Sequence, residues 1–248
     1  MVSTAAGRPS RQLVLLGGIA LRGIDADAAD SLLAQPKIVA FLAYLALSPA
    51  GRFQRRDRLA SLLWPELDQA HARTALRKVV HVVRAALGAD AIVSRGDEEL
   101  VLPTGVLWCD AVECIASADD GRLVQALQLY EGELMPGFAV PGCADLDFWL
   151  DEQRAAVRER AAAAAWALAR RLETDRSFTE AARWARRAVR YTGADERVLR
   201  HAVRMLDRLG DRAGALQMYD EFTRRVRQTL DVEPSAETEA LIATLKNQ

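Results

Sequence analysis

Cysteine and histidine are scarce in this chain, with three of each in 248 residues. Cys109, Cys114 and Cys143 match no zinc ribbon, zinc finger or CxxC redox pair in their spacing. An odd count without a secretory signal predicts free, reduced thiols rather than a disulfide framework. His71 and His201 read as isolated, with no carboxylate or cysteine in helical register beside them. Long apolar runs are missing too. Ile38–Leu47 and Ala161–Ala169 are the longest, well short of the roughly 20 residues a spanning helix needs. The first dozen residues, MVSTAAGRPSRQ, carry no apolar core behind their charges, so no leader peptide is expected and the chain reads as cytoplasmic.

Catalytic patterns are also absent. Gly17-Gly18 lacks both the Lys-Ser/Thr of a phosphate-binding loop and the spacing of a dinucleotide fingerprint. No nucleophile–base set stands out. The expectation is a protein that is not an enzyme and carries no cofactor. Asp145, Asp147, Asp151 and Glu152 cluster around Trp149, and a solvated helix start accounts for them, because acids favour the positive end of the helix dipole.

No sign of charge dominates the whole chain, whose formal net charge is −1. Its distribution is uneven. Residues 36–95 hold ten Lys/Arg against four Asp/Glu, a local excess of +6. A basic zone on a neutral chain is the electrostatic footprint of a nucleic-acid-binding module. Half of the residues are apolar, enough for a sizeable core.

The pattern along the chain divides it near residue 110. Leu13–Leu16 and Ile19–Leu21 read as two short strands around Gly17-Gly18, followed by a polar, acidic stretch from Asp25 to Ser31. Pro36 opens a helix with Ile38, Phe41, Leu42, Leu45 and Ala46 on one face. A short second helix starts near Asp57 and stops at Pro65. Asp68 caps a long third helix that Gly88 closes. Ile92–Arg95 and Leu100–Leu102 flank Gly96-Asp97 as a hairpin. Strands, three helices and a hairpin are the order of a winged helix-turn-helix. Beyond about residue 115, helices are predicted over 119–133, 145–173, 177–191, 195–209, 211–230 and 235–246. The segment from Glu180 aligns with that from Gly214 at a 34-residue offset, which is the tetratricopeptide (TPR) spacing. The fold class expected is therefore mainly α: a winged helix-turn-helix over 1–110, then an all-α TPR-like domain over 111–248.

The third helix carries the most specific chemistry. On a helical wheel Arg73, Arg77, His81 and Arg84 share a sector of about 80°, flanked by Thr74 and Lys78. Leu76, Val79, Val80, Val83 and Leu87 occupy a separate sector. One face buries while the other presents guanidinium groups, which suits a helix in the major groove. Arg95 lies at the hairpin tip, where a wing enters the minor groove, although Asp97, Glu98 and Glu99 follow it and would repel DNA if they faced it. Arg52, Arg55, Arg56 and Arg58 surround the start of the second helix as candidates for phosphate contacts. These observations favour a DNA-binding regulator. The alternative is a helical adaptor whose winged helix contacts protein.

The segments LLGGIALRG, PKIVAFLAYLAL, RRDRLASLLWPE, ARTALRKVVHVVRAALG, LVQALQLYEGELMPGF, WLDEQRAAVRER and GDRAGALQMYDEFTRRVRQTLDVEPSAET together resemble one family. It is the Streptomyces antibiotic regulatory protein type, an OmpR-like winged helix joined to a bacterial transcriptional activator domain. The resemblance runs from about Leu13 to Leu245. It implies an activator that binds direct repeats in double-stranded promoter DNA, forms a homodimer on that DNA, and recruits RNA polymerase partly through the sigma factor. By the same resemblance the third helix reads the major groove, and Trp64, Glu66 and Asp68 lie in a loop that faces polymerase. Apart from the resemblance, the paired helices of the helical domain offer room between their hairpins for a small effector, which nothing in the sequence names. The chain departs from its relatives at Tyr191-Thr192-Gly193, where many carry proline, and in the acidity of its wing.

Overall fold

The structure, a computed structural model, describes residues 10–247. The chain divides into two compact units. One holds the described residues up to Ala116 together with Gln128–Val157; the other holds Ser117–Leu127 together with Arg158 onward.

The first unit is built on a winged helix. Gln12–Val14 (β1) and Ala20–Arg22 (β2) pair antiparallel, and Trp108–Cys109 (β6) adds to β1 in parallel. The stretch Asp25–Ser31, read as merely polar and acidic, instead contributes to a helix, Ala26–Leu33 (α1). Asp25 starts it by accepting a hydrogen bond from the Ala28 amide at 3.0 Å, and Ala29 and Leu32 alone bury, so the helical period was too sparse to see. Pro36–Leu47 (α2) follows, with Pro36 in its first turn. It buries every residue from Ile38 to Leu45 rather than the single face expected, as befits the central helix of a small core.

Gln54–Arg55 (β3) leads into Arg56–Leu63 (α3), and Pro65 lies just beyond its end. Gln69–Leu87 (α4) begins where the Asp68 carboxylate accepts from the His71 amide at 3.0 Å and ends at Gly88, whose φ of +102° favours glycine. Val93–Arg95 (β4) and Glu99–Val101 (β5) form the wing hairpin. Neither β3 nor β6 was foreseen, because two-residue strands leave no alternation to read. β3 pairs with β5, so the wing is a three-stranded sheet in the order β3-β5-β4.

The helix expected over 119–133 is broken. Asp110–Asp119 (α5) and Leu123–Leu129 (α6) are separated by a turn, and 130–143 runs without helix to Ala144–Thr174 (α7). Asp110 is buried at the start of α5. Its carboxylate accepts from the amides of Leu15 (2.8 Å), Leu16 (3.0 Å) and Ala111 (2.8 Å), tying the end of β1 to α5. Burial pushes its pKa up, against the pull of those three amides. The 130–143 segment is stitched to the same place. Met135 N donates to Leu15 O (2.7 Å), Gly17 N donates to Glu133 O (2.9 Å), and Leu16 and Leu134 form an isolated antiparallel bridge. A Cβ on Gly132 would lie 2.8 Å from Gly17 Cα, so two backbones touch where both residues lack side chains. Arg154 of α7 closes the loop from the other side. Its guanidinium donates to the carbonyls of Leu134 (3.1 Å), Met135 (2.7 Å) and Phe138 (3.0 Å).

The second unit is helical. Phe178–Thr192 (α8), Glu196–Arg208 (α9), Arg212–Leu230 (α10) and Ala236–Lys246 (α11) match the expected segments within one or two residues. α8 and α10 begin 34 residues apart, as the repeat predicts, and α9 packs against both. Alanines 181, 182, 185 and 188 allow close approach, while Trp184, Met218 and Phe222 fill the wider gaps. His201 is not isolated: its ring stacks on Trp166 with centroids 6.0 Å apart. The VEPSAET segment works as a clasp. Glu196 of α9 accepts from the Ser235 amide at 3.0 Å and from the Thr238 hydroxyl at the start of α11.

Among the described residues Cys109, Cys114 and Cys143 form no disulfide, and all three are buried. Burial pushes the first two thiols up to about 12 and about 11. A thiol that cannot ionise does not attack. The expected outcome with an aromatic disulfide reagent is therefore no rapid release from the native protein and three equivalents after denaturation; a fast native equivalent would contradict this burial.

Candidate nucleic-acid interface

α4 has two faces. Ala72, Leu76, Val79, Val80, Val83 and Leu87 are buried, and its exposed side presents Thr74, Arg77, Lys78 and His81. These four belong to the expected stripe and share one surface. Thr74 Oγ1 donates to Ala70 O at 2.9 Å, within the helix. Among the described residues, neither Arg77 nor Lys78 forms an ion pair, so their charges are available. His81 is exposed beside Ser31 and Leu32.

Arg73 and Arg84, the ends of that stripe, are engaged inside the unit. Arg73 is only 25% exposed; its Nε lies 2.5 Å from Asp57 Oδ1 and its Nη2 3.0 Å from Glu98 Oε2. It joins α3, α4 and the wing through one guanidinium. The same hydrogen bond, helped by Gln69, holds the Asp57 carboxyl down at about 2. Arg84 donates from Nη2 to Ile92 O (2.6 Å) and to Ser94 Oγ (3.1 Å), anchoring β4 to α4. Helical spacing alone did not show this. Partners for Arg73 lie 16 and 25 residues away in sequence, and only folding brings them near.

The acidic wing is neutralised from within. Glu98 is held by Arg73, and Glu99 accepts from Arg95 Nε at 2.5 Å. Asp97 forms no ion pair among the described residues, but its charge acts on Arg56 against the lowering of that group's pKa by burial. Arg95 also lies flat on Phe53, with its guanidinium carbon 4.3 Å from the ring centre. Beside the turn of the wing, a cavity of about 160 Å³ is lined by Arg56, Arg73, Leu76, Arg77 and Asp97. Arg56 donates to Ser94 Oγ at 3.0 Å, yet its Nε is buried without a hydrogen-bond partner. Burial lowers its pKa, and Arg84, Arg77 and Arg73 add to that against Asp97. Cations gathered at one notch suit a phosphate oxygen. Arg55 is N-cap to α3 and 68% exposed, with Asp57 and Glu98 only at the outer limit of ion pairing. Arg52 and Arg58 are exposed but line other cavities, Arg52 with Leu45 and Leu102 and Arg58 with Tyr44 and Trp149.

The loop after α3 is well ordered by its own contacts. Trp64 is buried to 8% exposure and lies beneath Lys37, whose Nζ is 5.4 Å from the ring centre and 2.7 Å from Glu66 Oε1. Glu66 and Asp68 are exposed. His71, which the sequence left alone, has Asp68 Oδ2 at 2.6 Å from Nδ1. The amide and ring of His71 hold the Asp68 carboxyl below the usual range.

Comparison with known proteins places this geometry. The family described as "Bacterial transcriptional activator domain" matches residues 116–246, just over half of the chain. A solved structure described as Mycobacterium tuberculosis EmbR in complex with low affinity phosphopeptide is similar at a TM-score of 0.62 and 18% identity, covering 96% of this chain. At that identity the likeness is one of fold, and it extends through the winged helix and the helical unit alike. The chain spans 65% of the length of that protein. No curated protein matches. Among the described residues, no single helix is long and apolar enough to cross a membrane. The chain belongs to the bacterial transcriptional activator domain family, in keeping with the antibiotic-regulatory type of transcription regulator that its sequence resembles.

Proposed function

We propose that this protein is a cytoplasmic transcriptional activator that binds promoter DNA in a sequence-specific manner through α4. The observation that carries the reading is the exposed row Thr74, Arg77, Lys78 and His81 on a 19-residue helix whose opposite face is core. Such a row has the spacing to meet base edges and phosphates in a major groove, with Arg77 placed for bidentate contact to guanine. Arg52 and Arg55, exposed ahead of α3, add phosphate contacts, and the notch lined by Arg56 and Arg73 accepts one phosphate beside the turn of the wing. Arg95 on Phe53 is the wing's cation toward the backbone. Arg84 supports the site by holding β4.

In this reading residues 1–110 read DNA and 111–248 form the activator domain, with two copies on direct repeats. Glu66 and Asp68, exposed on the loop that Trp64 seats, face RNA polymerase and its sigma factor. No catalysis and no cofactor enter the proposal.

The test is titration of the purified protein against fragments upstream of its own and neighbouring genes, at several salt concentrations, with random DNA as competitor. With about four to six phosphates neutralised, the logarithm of the binding constant is expected to fall against the logarithm of salt with a slope of roughly −4 to −5. One fragment is expected to hold out against the competitor. Weak, salt-insensitive and fragment-independent binding would replace this reading with that of a helical adaptor.

A further inference from the structure

The helical unit contains a second cluster of arginines, unrelated to the DNA-facing one. A cavity of about 240 Å³ opens between α8 and α10. Its floor is apolar: Val189, Met218 and Phe222 are all buried. Its rim carries Arg183, Arg186 and Arg190 from successive turns of α8 and Arg225 from α10, against a single lining carboxylate, Glu221. Gly214 lies at the edge. A Cβ there would fall 2.0 Å from Arg186 Nη2, so glycine is what lets the Arg186 side chain lie across α10 to Asp211.

Two of the four guanidiniums are spoken for. Arg183 pairs with Glu180 at 3.1 Å, and Arg186 pairs with Asp211. The other two are not. Among the described residues neither Arg190 nor Arg225 has an ion-pair partner. Arg225 spends one nitrogen on the Gly193 carbonyl at 2.6 Å and lies over the Phe222 ring at 5.4 Å from its centre, while its Nε is buried with no hydrogen-bond partner. Burial lowers its pKa, and Arg190 adds to this against Glu221. A buried, unsatisfied donor on a charged group is costly, and so is a second cation beside it. Both costs vanish when an anion sits between them, because the planar guanidinium fork matches phosphate and carboxylate oxygens.

We propose that this cleft binds a small organic anion, its phosphate or carboxylate group between Arg190 and Arg225 and its apolar body on Val189, Met218 and Phe222. The site requires no DNA. It stands or falls apart from the promoter-binding reading.

The experiment is calorimetric titration of the full chain, without DNA, with phenyl phosphate, benzoate and inorganic phosphate in turn. One of the two aromatic anions is expected to bind about tenfold or more tightly than inorganic phosphate, which lacks the apolar body; which one it is identifies the head group. Arg190→Gln, an exposed change that spares the fold, is expected to weaken that binding about tenfold or more. Arg204→Gln, exposed on α9, is expected to leave it unchanged. Failure of both aromatic anions to bind, equal binding by Arg190→Gln, or equal weakening by Arg204→Gln would each overturn the proposal.

Discussion

Arg77→Ala is expected to cost specific DNA binding about 1–3 kcal/mol, or roughly five- to 150-fold in affinity, with little change in melting temperature. Arg77 is exposed, makes no ion pair among the described residues, and lies at the centre of the presented row of α4. On the proposed reading its removal deletes a contact to DNA and no ion pair within the fold. Arg73→Ala supplies the contrast. Its guanidinium holds Asp57 and Glu98 together, so that variant loses thermal stability as well as affinity, and it releases Glu98 to repel the backbone. Measuring specific affinity and melting temperature on both variants separates the two roles. An Arg77→Ala protein that binds its operator with undiminished affinity removes Arg77 from the interface.

Arg154→Ala is expected to destabilise the protein by about 3 kcal/mol. One charged side chain, 17% exposed, serves three carbonyls of the 130–143 segment and also pairs with Asp151 at 2.9 Å. Hydrogen bonds to a charged group are each worth about 1.5–3 kcal/mol, and water reaching the vacated site returns part of the sum. In a chain of this size such a loss lowers the melting temperature by about 6–12 °C. Arg154→Lys is expected to recover little, since an ammonium cannot spread over three diverging acceptors as the guanidinium does. Calorimetric melting decides the matter: a shift under about 2 °C for Arg154→Ala would mean that the segment is held by its backbone pairing alone.

The long helices of both units were legible because each has a stop or start that the residue itself enforces: Pro36, Pro65, Asp68 and Gly88 in the first unit, and the 34-residue repeat in the second. The basic face of α4 was legible for the same reason, since helical spacing fixes which side chains share a side. What could not be read was any feature created by distant residues meeting. Asp57, Glu98 and Arg73 have no spacing that marks them as a triad. The wing is acidic in sequence, yet two of its three acids, Glu98 and Glu99, are paired with Arg73 and Arg95. Asp110 and Arg154 were likewise invisible, because their partners are backbone groups, which every residue possesses. α1 escaped because an eight-residue helix with two buried positions carries too little period.

The close approach of Gly17 to Gly132 bears on how such regulators can diversify. A recombination event that exchanged the promoter-reading half of two relatives at the visible sequence boundary would join a β1 edge from one parent to an ELMPGF loop from the other. A parent with a side chain at the Gly132 position would bring its Cβ within 2.8 Å of the facing backbone, and one with a side chain at the Gly17 position would have to adopt a φ of +75°. Crossovers placed after Val157, in the middle of α7, would carry both sides of that join together, although they would part Ser117–Leu127 from the rest of its unit, so exchanges between relatives are expected to keep both glycines from one parent.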